Sequence, residues 1–226
     1  GADPSPPTPN NPRGNIKKIP PAAIGKIGVV RPGLETIFRP TLDGSVLKKY
    51  GIRQPYLLFV GTLEPRKNLL SLLRAYENFR RSGPAMQLVL VGRKGWKNKD
   101  FLTALEASPH RADIVLTGYT ERAELPVLYS MAHLFVYPSR YEGFGLPALE
   151  AMACGAPVLL SRSSSLPEVG GRAAAYFDPG DLEDFSKKLL QTATGEQNLH
   201  QMGKASLQQA ALFDWEESAK AFLSYL

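Results

Sequence analysis

The sequence predicts an α/β fold, a parallel sheet covered by helices on both faces, and three observations predict it. Short runs such as Tyr56–Val60 and Leu134–Tyr137 are apolar at nearly every position rather than at alternate ones, as strands buried on both faces require. Segments with apolar residues three and four apart, such as Leu69 to Phe79, separate the runs and read as helices. The chain has 226 residues and is 43% hydrophobic, which suits one soluble domain built around such a sheet. Strand and helix in regular alternation make the arrangement Rossmann-like.

The elements follow in order. Residues 1–23 contain Ala2-Asp3-Pro4-Ser5-Pro6-Pro7-Thr8-Pro9 and little that can be buried, so they read as a flexible Pro-rich leader, a linker or an expression remnant. Residues 24–226 form the folded domain. Ile27, Val29 and Val30 suggest a short strand leading to a turn at Arg31-Pro32-Gly33. Strands are then expected at Tyr56–Val60, Gln87–Val91, Ile114–Thr117, Leu134–Tyr137, Pro157–Leu160 and Ala174–Phe177, with helices between most of them. Three helical stretches close the chain, near Leu182–Gln191, Glu196–Ala211 and Trp215–Tyr225.

In open parallel sheets ligands sit in the loops leaving the C-terminal ends of the strands. Gly61-Thr62-Leu63-Glu64-Pro65-Arg66-Lys67-Asn68 sets two adjacent cations just before a helix start, where unpaired amides and the helix dipole favour an anion. Such a pair also occurs in ordinary solvated turns. The second loop, Pro138-Ser139-Arg140-Tyr141-Glu142-Gly143-Phe144-Gly145-Leu146-Pro147-Ala148-Leu149-Glu150, is more specific. Gly143 and Gly145 let backbone approach a ligand, and Pro147 suits a first helical turn. Glu142 and Glu150, with seven residues between them, offer carboxylates to hydroxyls on either side of a phosphate-binding backbone. Either glutamate singly reads as a helix-start residue. The polar stretch Ser161-Arg162-Ser163-Ser164-Ser165-Leu166-Pro167-Glu168 lies on the same sheet edge and either lines the pocket or is only a flexible connection.

Charge and rare residues narrow the classes. The net charge is +6, but the basic residues are scattered, with Arg66 and Lys67 in one loop and Arg93, Lys94, Lys97 and Lys99 in another; small phosphate ligands suit this better than nucleic acid. Cys154 is the single cysteine, which excludes an intrachain disulfide and favours a reducing, cytoplasmic setting. It reads as a core residue. His110, His133 and His200 lack metal-ligand spacing, so no metal is expected. No apolar run reaches the ~20 residues that span a bilayer.

The string from Pro138 to Val158, read with Gly61 to Asn68, resembles the family-4 retaining glycosyltransferases of the B-type two-domain fold (GT-B). The resemblance extends from Val29-Val30-Arg31-Pro32-Gly33 to Phe213-Asp214-Trp215. It implies that the chain is the C-terminal, donor-binding half of such an enzyme, lacking the N-terminal acceptor domain and inactive by itself. By position, Glu142 is implied to hold the transferred sugar, Gly143, Phe144, Gly145 and Leu146 to present backbone to sugar and diphosphate, and Glu150 to take the ribose. Arg66 and Lys67 match the diphosphate-binding pair and, with Glu142, are the implied catalytic residues. Gly61 and Thr62 are implied to lie at the phosphates, and Gly118 and Tyr119, in a segment that resembles the family's base-contacting strand end, to contact the base. Thr62 departs from the arginine that many relatives carry there.

The resemblance further implies retaining transfer of a hexose, mannose by the wording Thr62-Leu63-Glu64-Pro65-Arg66-Lys67-Asn68, from a nucleotide diphosphate sugar such as GDP-mannose in glycan or surface polysaccharide synthesis. No cofactor beyond that substrate is implied, and peripheral contact with the inner membrane face is open. The alternatives are a noncatalytic nucleotide-sugar-binding module, a phosphorylase or epimerase of the same architecture, a nucleic-acid-binding domain, and a glycoside hydrolase using the two carboxylates; the Gly-Phe-Gly string and the basic loop argue against the hydrolase.

Overall fold

The computed structural model describes residues 30–224. Residues 35–212 form one compact unit, and the described residues of a second unit are 30–34 and 213–224.

The larger unit is built on six parallel strands: β1 (Tyr56–Val60), β2 (Gln87–Val91), β3 (Ile114–Gly118), β4 (Leu134–Tyr137), β5 (Val158–Ser161) and β6 (Ala175–Phe177). Their order is β3-β2-β1-β4-β5-β6, with every neighbouring pair parallel. All five residues of β1 are buried because the strand is central and has a helical layer over each face. That is why it carries no polar alternation. The chain builds outward from β1 to β3 and then crosses back so that β4 pairs with the other side of β1. From β1 the chain goes on to one side of the sheet and from β4 to the other, so the place where the loops after these two strands lie side by side is the topological switch point of the sheet.

Helices α1 (Gly44–Lys49), α2 (Leu69–Ser82), α3 (Lys99–Glu106), α4 (Leu125–Ser130), α5 (Leu146–Ala153), α6 (Leu166–Gly170), α7 (Leu182–Ala193) and α8 (Glu196–Ala210) cover it. In α2 the buried residues Leu69, Leu72, Leu73, Tyr76 and Phe79 recur at three- and four-residue spacing, the stripe expected of a helix with one buried face. Helix α5 differs, since the six residues from Ala148 to Ala153 are all buried; it lies within the molecule and can contribute polar groups only to an enclosed place. Asp181 caps α7 by accepting from the Glu183 and Asp184 amides, and Phe185 stacks on Phe177 of β6 at 3.8 Å.

The six strands expected between Tyr56 and Phe177 all form, with small shifts. The fifth begins at Val158 rather than Pro157: Pro157 has no amide, though its carbonyl still accepts from the Phe135 amide at 2.9 Å. The stretch read as a polar connection after β5 contains α6, with Pro167 in its first turn. Helix α1, capped by Asp43 accepting from the Ser45 amide, has too little apolar periodicity to be read from sequence.

In the smaller unit, helix α9 (Trp215–Leu223) is capped by Asp214, which accepts from the Glu216 and Glu217 amides. Ser218 Oγ donates to the Arg31 carbonyl, and the Arg31 guanidinium lies over the Phe213 ring. A Cβ on Gly33 would meet the Trp215 backbone nitrogen at 2.4 Å, so this turn needs glycine. The leader of residues 1–23 and the strand expected around Ile27 and Val29 lie outside the described residues; Val30 is in no regular element.

Candidate functional site

The loops leaving β1 and β4 meet at the switch point. The first continues the β1–β2 pairing for a few residues: the Gly61 amide donates to the Val91 carbonyl at 2.8 Å and the Leu63 amide to the Arg93 carbonyl at 2.9 Å. Close approach here depends on Gly92, whose φ is +143° and where an added Cβ would lie 2.1 Å from the Gly61 carbonyl oxygen. The loop then makes a 3-10 turn over Pro65–Lys67, and Asn68, in the left-handed region at φ 56°, starts α2. That turn aims Arg66 and Lys67 across the crevice toward the β4 loop. The Arg140 amide donates to the Arg66 carbonyl at 2.9 Å and ties the loops together.

The cations converge on one carboxylate. Lys67, 5% exposed, donates from Nζ to Glu142 Oε1 at 2.7 Å and to the Tyr137 hydroxyl at 2.6 Å. Arg66 donates from Nη1 to Glu142 Oε2 at 2.7 Å and to the Tyr141 carbonyl at 2.8 Å. Its Nε and Nη2 donate to Glu64 Oε1 at 3.0 and 2.7 Å, and Trp96 Nε1 donates to Glu64 Oε2 at 3.1 Å. Burial works to raise the Glu142 carboxyl, but the bonds and charge of Lys67 and Arg66 outweigh it and hold the group below the usual glutamate value. Glu142 is an ionised carboxylate between two cations. Burial pulls the Lys67 ammonium down while Glu142 opposes it. Tyr137 is held as a neutral phenol, by burial first and then by the charge of Glu142.

The serine stretch after β5 props this loop from below. The Glu142 amide donates to Ser164 Oγ at 2.8 Å, Ser165 Oγ donates to the Phe144 carbonyl at 2.7 Å, and Ser163 and Ser161 donate to the carbonyls of Arg140 and Ser139. Read from sequence as an edge lining or a plain connection, the stretch acts through these bonds as a scaffold for the loop. Gly145, at φ +101°, turns the chain into α5. Gly143 is exposed, with nothing within 4 Å of where a Cβ would stand. Leu146 is exposed and Phe144 half-buried. The first turn of α5, which starts from this loop, has no side-chain cap, and an uncapped helix start favours an anion. Gly61 is half-buried and Thr62 exposed beside it.

Glu150 belongs to a separate cluster. Its Oε2 accepts from the Tyr129 hydroxyl at 2.9 Å and its Oε1 lies 3.5 Å from Arg122 Nη2. Arg122 makes its shorter bonds to Glu35, at 3.0 and 2.5 Å, and its guanidinium lies over the Phe38 ring. Burial pushes the Glu150 carboxyl above the usual value, against the Tyr129 bond and the Arg122 charge. Gly118 and Tyr119 end β3 on the next rim. Tyr119 is exposed, and the Arg93 guanidinium lies 4.3 Å from its ring centre. Arg122 and Tyr129 were not read from sequence as site residues, because Arg122 stands among acidic neighbours, as in an ordinary solvated turn, and Tyr129 stands in an apolar helical run.

Other polar candidates go elsewhere. Cys154 is buried and its thiol is pushed up to about 12 by burial. His133 Nε2 lies 2.7 Å from the Ala193 carbonyl, and His110 meets the edge of Tyr76. Among the described residues no group of three or more His, Cys, Asp or Glu side chains is placed to hold a metal, and no helix is long and apolar enough to cross a membrane.

A buried carboxylate joined to two cations at a switch point, beside glycines and an uncapped helix start, can hold an anion together with hydroxyls. Comparison with known proteins follows the same line. Residues 46–209 match the family model "Glycosyl transferases group 1". Over 173 residues the chain is 42% identical to an O-antigen chain mannosyltransferase B of Escherichia coli, covering 76% of this chain and 45% of that protein. The sucrose-phosphate synthase structure from Thermosynechococcus elongatus superposes with a TM-score of 0.77 at 25% identity, over 87% of this chain and 51% of that one. The C-terminal domain of a glycosyl transferase group 1 family protein from Francisella tularensis shares the fold, with a TM-score of 0.69 at 22% identity, over 80% of this chain and 97% of that one. The chain thus spans under half the length of the mannosyltransferase it matches.

Proposed function

The chain belongs to the group 1 glycosyl transferases, and from that premise we propose that it is the donor half of a retaining hexosyltransferase. It takes a nucleotide diphosphate sugar, with mannose as the sugar and GDP as the carrier, for surface polysaccharide synthesis. The acceptor is held by a second domain across the crevice. The observation that carries this reading is the contact of Arg66 and Lys67 with Glu142 at the mouth between β1 and β4.

The roles follow from the chemistry of the groups. As the glycosidic bond breaks, negative charge grows on the departing diphosphate, and the fixed cations Arg66 and Lys67 stabilise it more in the transition state than before. Lys67 is suited to this because it is buried and held by Tyr137, so it need not reorganise. Glu142 accepts hydrogen bonds from the sugar hydroxyls. The backbone from Gly143 to Leu146 and the start of α5 face the sugar and phosphates; Gly143 leaves room for that approach. Glu150 takes the ribose, and Gly118 and Tyr119 meet the base. Retention proceeds by attack of the acceptor hydroxyl on the face the diphosphate leaves, the phosphate oxygen accepting the proton. The relatives matched include an O-antigen mannosyltransferase, which supports mannose and a polysaccharide acceptor.

Calorimetric titration with GDP, UDP, ADP and their sugar conjugates tests the reading. The expected result is binding of GDP and GDP-mannose in preference to the others, abolished by Lys67→Ala. Equal binding in the mutant, or binding of no nucleotide, removes the donor-site reading.

A further inference from the structure

Resting on the donor-site reading, we infer that Glu142 also sets the preference for sugar-bearing over bare nucleotide, by competing with the diphosphate for the N–H donors of Arg66 and Lys67. The count of donors leads there. Lys67 has three N–H bonds, of which one goes to Tyr137 and one to Glu142. Arg66 has five, of which two go to Glu64, one to Glu142 and one to the Tyr141 carbonyl. Among the described residues, each side chain is thus left with a single N–H for a ligand. A diphosphate carries many strong acceptor oxygens and takes full hold of this pair only if Glu142 gives up its two bonds.

What frees the cations is another partner for the carboxylate. Glu142 is 8% exposed and ionised, so turning it away without a replacement leaves a buried charge unpaired, which is unfavourable. Sugar hydroxyls are such a replacement, since they donate hydrogen bonds to a carboxylate without competing for the phosphates. A nucleotide diphosphate sugar therefore brings both halves of the exchange: its hydroxyls take Glu142 and its phosphates take the released donors. A bare nucleotide diphosphate brings only the second half and meets a like charge at the site as well. Glu142 thereby weakens the product relative to the donor and speeds its release. This is a specificity role, beyond holding the sugar.

The test titrates the wild-type chain and Glu142→Gln with pyrophosphate, GDP and GDP-mannose, alongside denaturation curves that establish folding. Glu142→Gln removes the charge and keeps the size. We expect it to bind pyrophosphate and GDP about tenfold tighter, the scale of removing one like charge from a partly screened site, while the ratio of GDP-mannose to GDP affinity falls. A Glu142 that merely organised the loop would instead make every ligand bind more weakly. Unchanged or weaker GDP binding by folded Glu142→Gln overturns the inference; if wild-type binding of GDP still depends on Lys67, the donor-site reading survives that result. Nucleotide binding by neither protein overturns both. If Glu142→Gln does not fold, Glu142→Asp, which withdraws the carboxylate by one methylene, carries the same test with a gain of about threefold, and no gain overturns the inference.

Discussion

Lys67 and Glu142 stand 75 residues apart in the chain and 2.7 Å apart in space, with both side chains almost wholly withdrawn from solvent. A buried pair of this kind contributes little beyond a well-packed apolar substitute, but removing one partner strands the other.

Lys67→Ala is therefore expected to cost about 3 kcal/mol of folding stability, with Arg66 left as the one cation on Glu142 among the described residues. Urea denaturation measures it, and an unchanged midpoint would show that the pair is not held in solution as described.

The glycines separate folding from binding. Gly92→Ala places a Cβ 2.1 Å from the Gly61 carbonyl oxygen at a φ of +143°, and at least about 3 kcal/mol of destabilisation is expected from strain and overlap together. Gly143→Ala meets nothing within 4 Å and should leave stability within about 0.5 kcal/mol while weakening GDP-mannose several-fold. Paired denaturation and titration decide this; a Gly143 variant that binds normally would mean that no ligand approaches that backbone.

Glu150→Ala should weaken GDP by about 1–3 kcal/mol through lost ribose hydrogen bonds. The discriminating ligand is 2′,3′-dideoxy-GDP, to which wild type and variant should bind alike. If the variant loses the same affinity for both nucleotides, Glu150 acts through Tyr129 and Arg122 rather than on the ribose.

The two carboxyls impose opposite pH dependence. Glu142 is held below its ordinary value of 4.5, burial raising it but its cations prevailing, so the stability it contributes is present above 4.5 and is lost as pH falls below that value. Glu150 is raised above 4.5 by burial; its contribution is present below 4.5 and is lost as pH rises through the raised value. Denaturation midpoints between about pH 3 and 7 should show the deficit of Glu142→Gln shrinking on acidification, and Glu150→Gln gaining on wild type as pH rises. Parallel profiles for both variants and wild type would remove the assigned directions.

By itself the sequence determined the α/β class, the six strands and the two loops, Gly61–Asn68 and Pro138–Glu150, proposed to hold the donor. Burial of Tyr56–Val60 on both faces and the three- and four-residue stripe of Leu69–Phe79 are written in neighbouring residues, and so are the glycines and glutamates from Glu142 to Glu150. Only the tertiary structure decided what those groups touch. Arg66 and Lys67 meet Glu142 because the chain crosses back to set β4 beside β1, which no local pattern records. The serines at and after the end of β5 became the scaffold of the Glu142 loop because β5 pairs with β4, and Arg122, in the connection after β3, and Tyr129, within α4, came to Glu150 from segments whose local pattern does not point to it. Periodicity is a property of one segment and its two faces; a contact between segments is set by strand order and crossover, and the free energy of that arrangement belongs to the whole core.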